Sequence, residues 1–112
     1  GQGRQIRSFC YISDLIEGIY QLMLSNTNSP INLGNPREFT IMQLASLILK
    51  LTKAKSKVIF RPLPEDDPKQ RQPVISQAKR ALKWQPKIDL EKGLRMTIKW
   101  FKDDNTRKLE KP

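Results

Sequence analysis

Histidine is absent from this chain, and cysteine occurs once, at Cys10. The first absence removes Ser-His-Asp hydrolysis, histidine-activated thiol chemistry and most zinc sites. The second rules out an internal disulfide and any cysteine-rich metal centre. Cys10 lies between Phe9 and Tyr11 in a strand-like run, so it is expected to pack as a small hydrophobe. Aromatic residues make up 7% of the chain and are not interleaved with its basic residues, which leaves no ladder for stacking bases. No apolar run approaches the length of a membrane-spanning helix.

What is present suits one small domain. The 112 residues are 38% apolar and 29% charged, enough for a modest core and too apolar for a disordered chain. The formal net charge is +10, and all of the excess falls in residues 50–112, because residues 1–49 carry three basic and three acidic side chains. A polyanion-binding face is one reading of that excess. The Lys and Arg residues are instead spread through helical patterns as solvated faces and helix ends, so no nucleic-acid partner is expected.

Along the chain, residues 8–12 alternate and favour a short strand, after which Ser13 or Asp14 is expected to cap a helix running to about Ser25. Ile12, Leu15, Ile16, Ile19, Tyr20, Leu22 and Met23 recur at helical spacing and predict an inward face. Ile31, Asn32 and Leu33 predict a strand that stops at a Gly34-Asn35-Pro36 turn. Thr40 with Gln43 is a capping-box signature for a helix ending near Thr52. Val58, Ile59 and Phe60 predict a second buried strand. Residues 62–73 hold four prolines and little apolar material, so they predict a stiff loop. Residues 76–82 predict a short helix, and Asp89 a cap for the last one. Trp84 and Trp100 are expected in the core. From Asp103 onward the tail is polar and expected to fray. The whole reads as a small α/β lobe, mostly helical with a few short strands, spanning 1–103 with a polar tail at 104–112.

Two clusters carry chemistry. The run from Gly3 to Asp14 brings Arg4, Gln5, Arg7, Ser8 and Tyr11 to a strand–helix junction, where guanidinium forks and amides suit oxygen-rich anions such as phosphate. The run Glu65-Asp66-Asp67-Pro68-Lys69-Gln70-Arg71-Gln72-Pro73 supplies a second set of polar groups that can close on the same ligand. Each residue has a plainer alternative: a surface ion pair with Asp14 or Glu17 for Arg7, an exposed loop charge for Arg71, turn residues ahead of Pro68 for Asp66 and Asp67, and strand-end packing for Ser8 and Tyr11.

Taken in order, Gly-x-Gly-x-Gln-x-Arg-Ser-Phe-x-Tyr-Ile-x-Asp-Leu, Pro-Ile-Asn-Leu-Gly-Asn-Pro, Asp-Asp-Pro-Lys-Gln-Arg-x-Pro and Leu-x-Trp-x-Pro resemble the C-terminal substrate-binding region of extended short-chain dehydrogenase/reductases acting on nucleotide sugars. The resemblance is to the NAD-dependent epimerase/dehydratase group, above all its UDP-glucuronate decarboxylases, and runs from Gly1 to about Phe101. It implies a Rossmann domain with a glycine-rich turn for NAD and a Tyr-x-x-x-Lys pair. Neither is in this chain, since Gly1-Gln2-Gly3 lacks the framing strand and helix and neither Tyr11 nor Tyr20 has a Lys four residues on. With Gly1 opening in mid-pattern, the chain is expected to be the back part of an enzyme, inactive and marginally stable alone.

By position the resemblance implies that Arg7, with Gln5 beside it, contacts the sugar-nucleotide diphosphate, and that Arg71 reaches the substrate from the late loop. An arginine's high pKa makes Arg71 an electrostatic clamp rather than a general acid. Ser8, Tyr11, Asp66 and Asp67 are further candidates for the UDP-sugar pocket. Two departures stand out: the family has a basic residue at Gln72 and an Asp at Val74, the latter a tether for the loop. The implied reaction oxidises the sugar C4 with NAD, loses carbon dioxide from the β-keto acid, and returns hydride to give UDP-xylose. A homodimeric parent is expected, in the cytoplasm, or in the Golgi lumen if an anchor precedes this segment. A 4,6-dehydratase or 4-epimerase of the same superfamily, and a basic nucleic-acid-binding module, remain alternatives.

Overall fold

Asp14, Gly18 and Leu22 stand one turn apart and form the inner face of a helix over Ile12–Leu24 (α1). The computed structural model describes residues 1–62 and 71–110, with 104–110 described in backbone alone. The helix is capped by Tyr11, whose extended backbone offers no side-chain hydrogen bond. The expected caps, Ser13 and Asp14, lie inside the first turn instead, because the Asp14 carboxylate is drawn to a distant segment. Gly18 is needed for close approach: a Cβ there would stand 2.9 Å from Leu33 Cδ1 and 3.1 Å from Trp84 Cε2.

The core forms where α1 meets a short helix over Ser76–Leu82 (α3), which has the bounds the sequence predicts. Ile75, Ala78, Leu82 and Trp84 are buried, and Cys10, Leu22, Ile31 and Leu33 pack against them. Lys83 takes a left-handed backbone at φ 53°. That turn returns the chain so that the Trp84 N–H donates to Ala78 O at 3.2 Å. The indole is 3% exposed, as expected of a core residue, whereas Trp100 is 60% exposed and is not part of the core.

Two strands complete the frame. Ile6–Ser8 (β1) pairs antiparallel with Glu38–Thr40 (β2), with Arg7 opposite Phe39 and Ser8 opposite Glu38. β1 therefore ends where the expected strand over 8–12 would begin. Thr40 then caps a helix over Ile41–Thr52 (α2) with the capping box in place: Gln43 N–H donates to Thr40 Oγ1 at 3.0 Å, and Thr40 N–H to Gln43 Oε1 at 2.7 Å. The last helix, Leu90–Glu110 (α4), starts at Asp89, whose Oδ1 accepts from Lys92 N–H at 2.8 Å. It packs against α2.

The two other expected strands do not form. Residues 31–33 and 58–60 carry no ladder, and Val58, Ile59 and Phe60 are 41%, 68% and 56% exposed rather than buried. Both have strand chemistry and no partner strand among the described residues, and a β-strand is stabilised by its cross-strand neighbours. The polar stretch from Asp103 has helical backbone to Glu110. The lobe is thus α/β as expected, mostly helical, with two short strands.

Candidate functional site

β1 and the segment leaving the proline-rich loop lie side by side. Arg71 N–H donates to Ile6 O at 3.3 Å, and Arg7 Nη1 donates to the same carbonyl at 2.9 Å. The two arginines, 64 positions apart in the chain, therefore converge on one backbone oxygen. Both border a cavity of about 430 Å³, together with Ser8, Leu15, Asn32 and Pro73. Arg7 is half-buried and Arg71 exposed.

The cavity wall is held by contacts that the sequence does not advertise. Gln72 Nε2 donates to Pro36 O at 2.8 Å, which ties the segment after Arg71 to the turn after residue 33. Gly34 is buried beneath Pro73: a Cβ there would stand 2.9 Å from Pro73 Cγ. Where relatives are expected to carry a basic residue, Gln72 thus serves as the tether. Val74, expected to be an Asp in the family pattern, is 70% exposed, and α3 starts without a side-chain cap. Ser8 Oγ is buried and has no hydrogen-bond partner among the described residues. An orphaned hydroxyl costs free energy wherever it is buried, which marks the base of this cavity as polar and unsatisfied.

The other candidates lie elsewhere. Gln5 is half-buried; its backbone carbonyl accepts from Ile41 N–H at 2.9 Å, and its side chain lies against Gly1. Tyr11 faces α4, where a Cβ on Gly93 would lie 3.1 Å from its ring, and it borders two other cavities with Thr97. The structure therefore brings Arg7, Ser8 and Arg71 together but not the side chains of Gln5 or Tyr11. Asp66 and Asp67 lie outside the described residues.

Asp14 is the buried residue that sequence reasoning assigned to a cap. Its Oδ2 accepts from Lys87 N–H at 3.1 Å and Ile88 N–H at 2.9 Å, and its carbonyl accepts from Trp84 Nε1 at 2.9 Å. One residue so locks α1 to the segment between α3 and α4. The signal available was the Leu-x-Trp-x-Pro run, whose backbone amides need acceptors once Pro86 stops the local ladder. Glu17 is paired with Lys87 at 3.6 Å. Burial, and secondarily the Asp14 charge, push the Cys10 thiol above its ordinary pKa. It is the inert packing residue that its sequence context predicts, since the thiolate is the reactive form.

Gly1-Gln2-Gly3 does not form a dinucleotide-binding turn at the start of α2. Gly3 has φ 78°, but its carbonyl accepts from Met42 N–H at 2.9 Å, and a Cβ there would meet Met42 Cβ at 3.1 Å. With Gln5 O and Thr40 Oγ1 taking Ile41 N–H and Gln43 N–H, the first amides of α2 are all engaged and none is left to hold a phosphate. Among the described residues no group of His, Cys, Asp or Glu is arranged to hold a metal.

No family model matches the chain. Among curated proteins it is 48% identical over 101 residues to UDP-glucuronic acid decarboxylase 1 of Danio rerio, covering 90% of this chain and 24% of the relative. It is 45% identical over 102 residues to UDP-glucuronic acid decarboxylase 4 of Arabidopsis thaliana, covering 91% and 23%. The chain thus spans about a quarter of the length of the curated relatives it matches. Among solved structures it superposes with a TM-score of 0.88 on UDP-glucose 4-epimerase of Thermotoga maritima, crystallised with UDP-glucose, at 28% identity over 93% of this chain and 34% of that one. The UDP-glucuronic acid 4-epimerase of Bacillus cereus, in complex with UDP-glucuronic acid and NAD, matches with a TM-score of 0.84 at 28% identity over 92% and 34%. The fold is that of the C-terminal part of extended short-chain dehydrogenase/reductases, as the motifs imply.

Proposed function

We propose that this chain, sharing nine-tenths of its length with UDP-glucuronic acid decarboxylases, is the nucleotide-sugar-binding part of such an enzyme. The observation that carries the reading is that the Arg7 guanidinium and the Arg71 backbone N–H meet at Ile6 O, with both residues bordering one cavity. Two permanently charged planar donors from separate segments suit two adjacent phosphates, where each pairs with its own set of oxygens. The half-buried Arg7 fixes the diphosphate in the wall, and the exposed Arg71 clamps it from the rim. Neither transfers a proton.

In the full enzyme NAD supplies the hydride chemistry, and the residues that would bind it are not in this chain. What these residues contribute is position. Holding the UDP end leaves the sugar free to be presented outward, and binding energy from a remote group is a recognised source of rate enhancement. The decarboxylase reading is favoured over epimerisation by sequence: identity is 48% to the Danio rerio decarboxylase and 28% to the Bacillus cereus epimerase.

The test has two stages. Titrating the chain with UDP while recording amide spectra should perturb residues around Arg7 and Arg71, and Arg7→Ala should abolish the response. A chimaera carrying this chain in place of the matching segment of the Danio rerio relative should then release carbon dioxide from UDP-glucuronate with NAD. Formation of a 4-epimer without carbon dioxide would move the assignment to the epimerases. No UDP-dependent change in either protein would end the nucleotide-sugar reading.

A further inference from the structure

The sequence spreads its excess of Lys and Arg along residues 50–112, and the fold gathers part of it. On α4, Lys92, Arg95, Lys99 and Lys102 recur at i, i+3, i+7 and i+10, the spacing of one helix face, and all four are exposed. No acidic residue interrupts residues 92–102. α2 packs against α4, and its Leu51 borders a cavity of about 280 Å³ together with Arg95, Ile98, Lys99, Lys102 and Asp103. Leu51 is flanked in the chain by Lys50 and Lys53, with Lys55 and Lys57 following; all four are exposed, and no acidic residue lies among them. The cavity thus combines two half-buried aliphatic residues, Leu51 and Ile98, with three exposed cations and one exposed carboxylate. Arg95 is paired with Glu91 at 3.0 Å. Cations from two separate stretches of sequence are therefore brought to one place.

We infer that the basic face of α4 and the end of α2 form a docking surface for an acidic polypeptide segment carrying one aliphatic anchor residue. The inference does not rest on the nucleotide-sugar reading, because this cavity shares no residue with the one bordered by Arg7 and Arg71. Charge names the partner. Like charges gathered in one patch repel one another, and a carboxylate-bearing partner relieves that repulsion. Covering the same cations with the apolar interior of a longer protein would strip their water without replacing it, so this face stays at the surface. The cavity separates the remaining occupants. A lipid surface takes helices whose exposed apolar side chains enter it beside the basic ones, whereas Leu51 and Ile98 are half-buried. A nucleic-acid backbone has no aliphatic group to set against Leu51 and Ile98, and Trp100, the tryptophan of this helix, borders a different cavity with Tyr11 and Thr97. A peptide with Asp and Glu on both sides of one aliphatic residue supplies both kinds of group at once.

Fluorescence anisotropy with a labelled peptide of Asp and Glu around one central Leu tests the surface. The full chain should bind it, binding should weaken steeply with added salt, and replacing the peptide's Leu by Ser should weaken it several-fold. Lys99→Gln with Lys102→Gln should weaken binding about tenfold, and Lys50→Gln with Lys53→Gln, from the other helix, should act in the same direction. Lys79→Gln with Arg80→Gln removes the same charge from α3 and should leave binding within about twofold. All six positions are exposed, so helicity should be unchanged in each variant. Equal losses in the α4 and α3 variants would show that net charge alone is read and would overturn the proposal, as would equal binding of the Leu and Ser peptides. Tighter binding of duplex DNA or of phosphatidylserine vesicles than of the peptide would also overturn it. The chimaera described above should bind the peptide as the chain does; loss of binding there would show the face to be covered in a decarboxylase-length protein and would overturn the proposal. A chimaera that binds the peptide and releases no carbon dioxide would support the surface while removing the decarboxylase reading.

Discussion

The two faces of α1 are similar in sequence and opposite in circumstance. On one side Gly18 and Leu22 close on Leu33 and Trp84, and Asp14 is 3% exposed with its carboxylate and carbonyl bound to residues 70 to 74 positions away. On the other, Ile16 and Met23 are 58% and 76% exposed, uncovered by the described residues. Hydrophobicity predicts that a side chain seeks burial, but the neighbour that buries it has to exist. The inner face is defined by one polar clamp and one missing Cβ, the outer by the absence of both. Specificity in this lobe therefore resides in a few short-range contacts, while the apolar pattern supplies driving force without direction.

Substitutions on the two faces should separate cleanly. Trp84→Ala removes the largest core side chain and its bond to Asp14, and should cost about 3 to 5 kcal/mol. In a core this small the expected outcome is a chain with no cooperative denaturant transition. Asp14→Ala leaves the N–H groups of Lys87 and Ile88 without their acceptor and should cost about 2 to 3 kcal/mol, read as a lower urea midpoint at unchanged slope. Gly18→Ala places a methyl against Leu33 and Trp84 and should cost about 1 to 3 kcal/mol, with the near-ultraviolet signal of Trp84 altered. Ile19→Ser on the outer face should shift the urea midpoint by less than about 0.5 kcal/mol in the chain. If that last change were as costly as Gly18→Ala, the distinction between the faces would be wrong.

How far the sequence could be read follows the range of the interactions involved. The α2 start was legible because Thr40 and Gln43 hold each other within one turn, and the Asp89 cap was legible for the same local reason. The strands over 31–33 and 58–60 were misread because their residues have strand propensity but no ladder among the described residues. Trp100 was misplaced because its neighbour Phe101, at 4.9 Å between ring centroids, is itself exposed, so two consecutive large aromatics meet each other rather than a core. In the site, Arg7 and Arg71 were recognisable because guanidinium chemistry is written in the residue type. The supports were not. Gly34 under Pro73 and Gln72 on Pro36 are ordinary residues whose importance lies in what stands opposite them.

The amino-acid sequence by itself determined the helices, the Thr40 and Asp89 caps, the charge distribution and the anion-seeking side chains, because each depends on residue type and on neighbours within a turn. Tertiary structure decided that Arg7 and Arg71 share one carbonyl and one cavity, that Asp14 is a clamp and not a cap, and that α1 has a covered and an uncovered side. Those outcomes depend on contacts between residues far apart in the chain, up to 74 positions for Asp14 and Ile88, where small differences in packing and hydrogen bonding, and no local preference, select the partner.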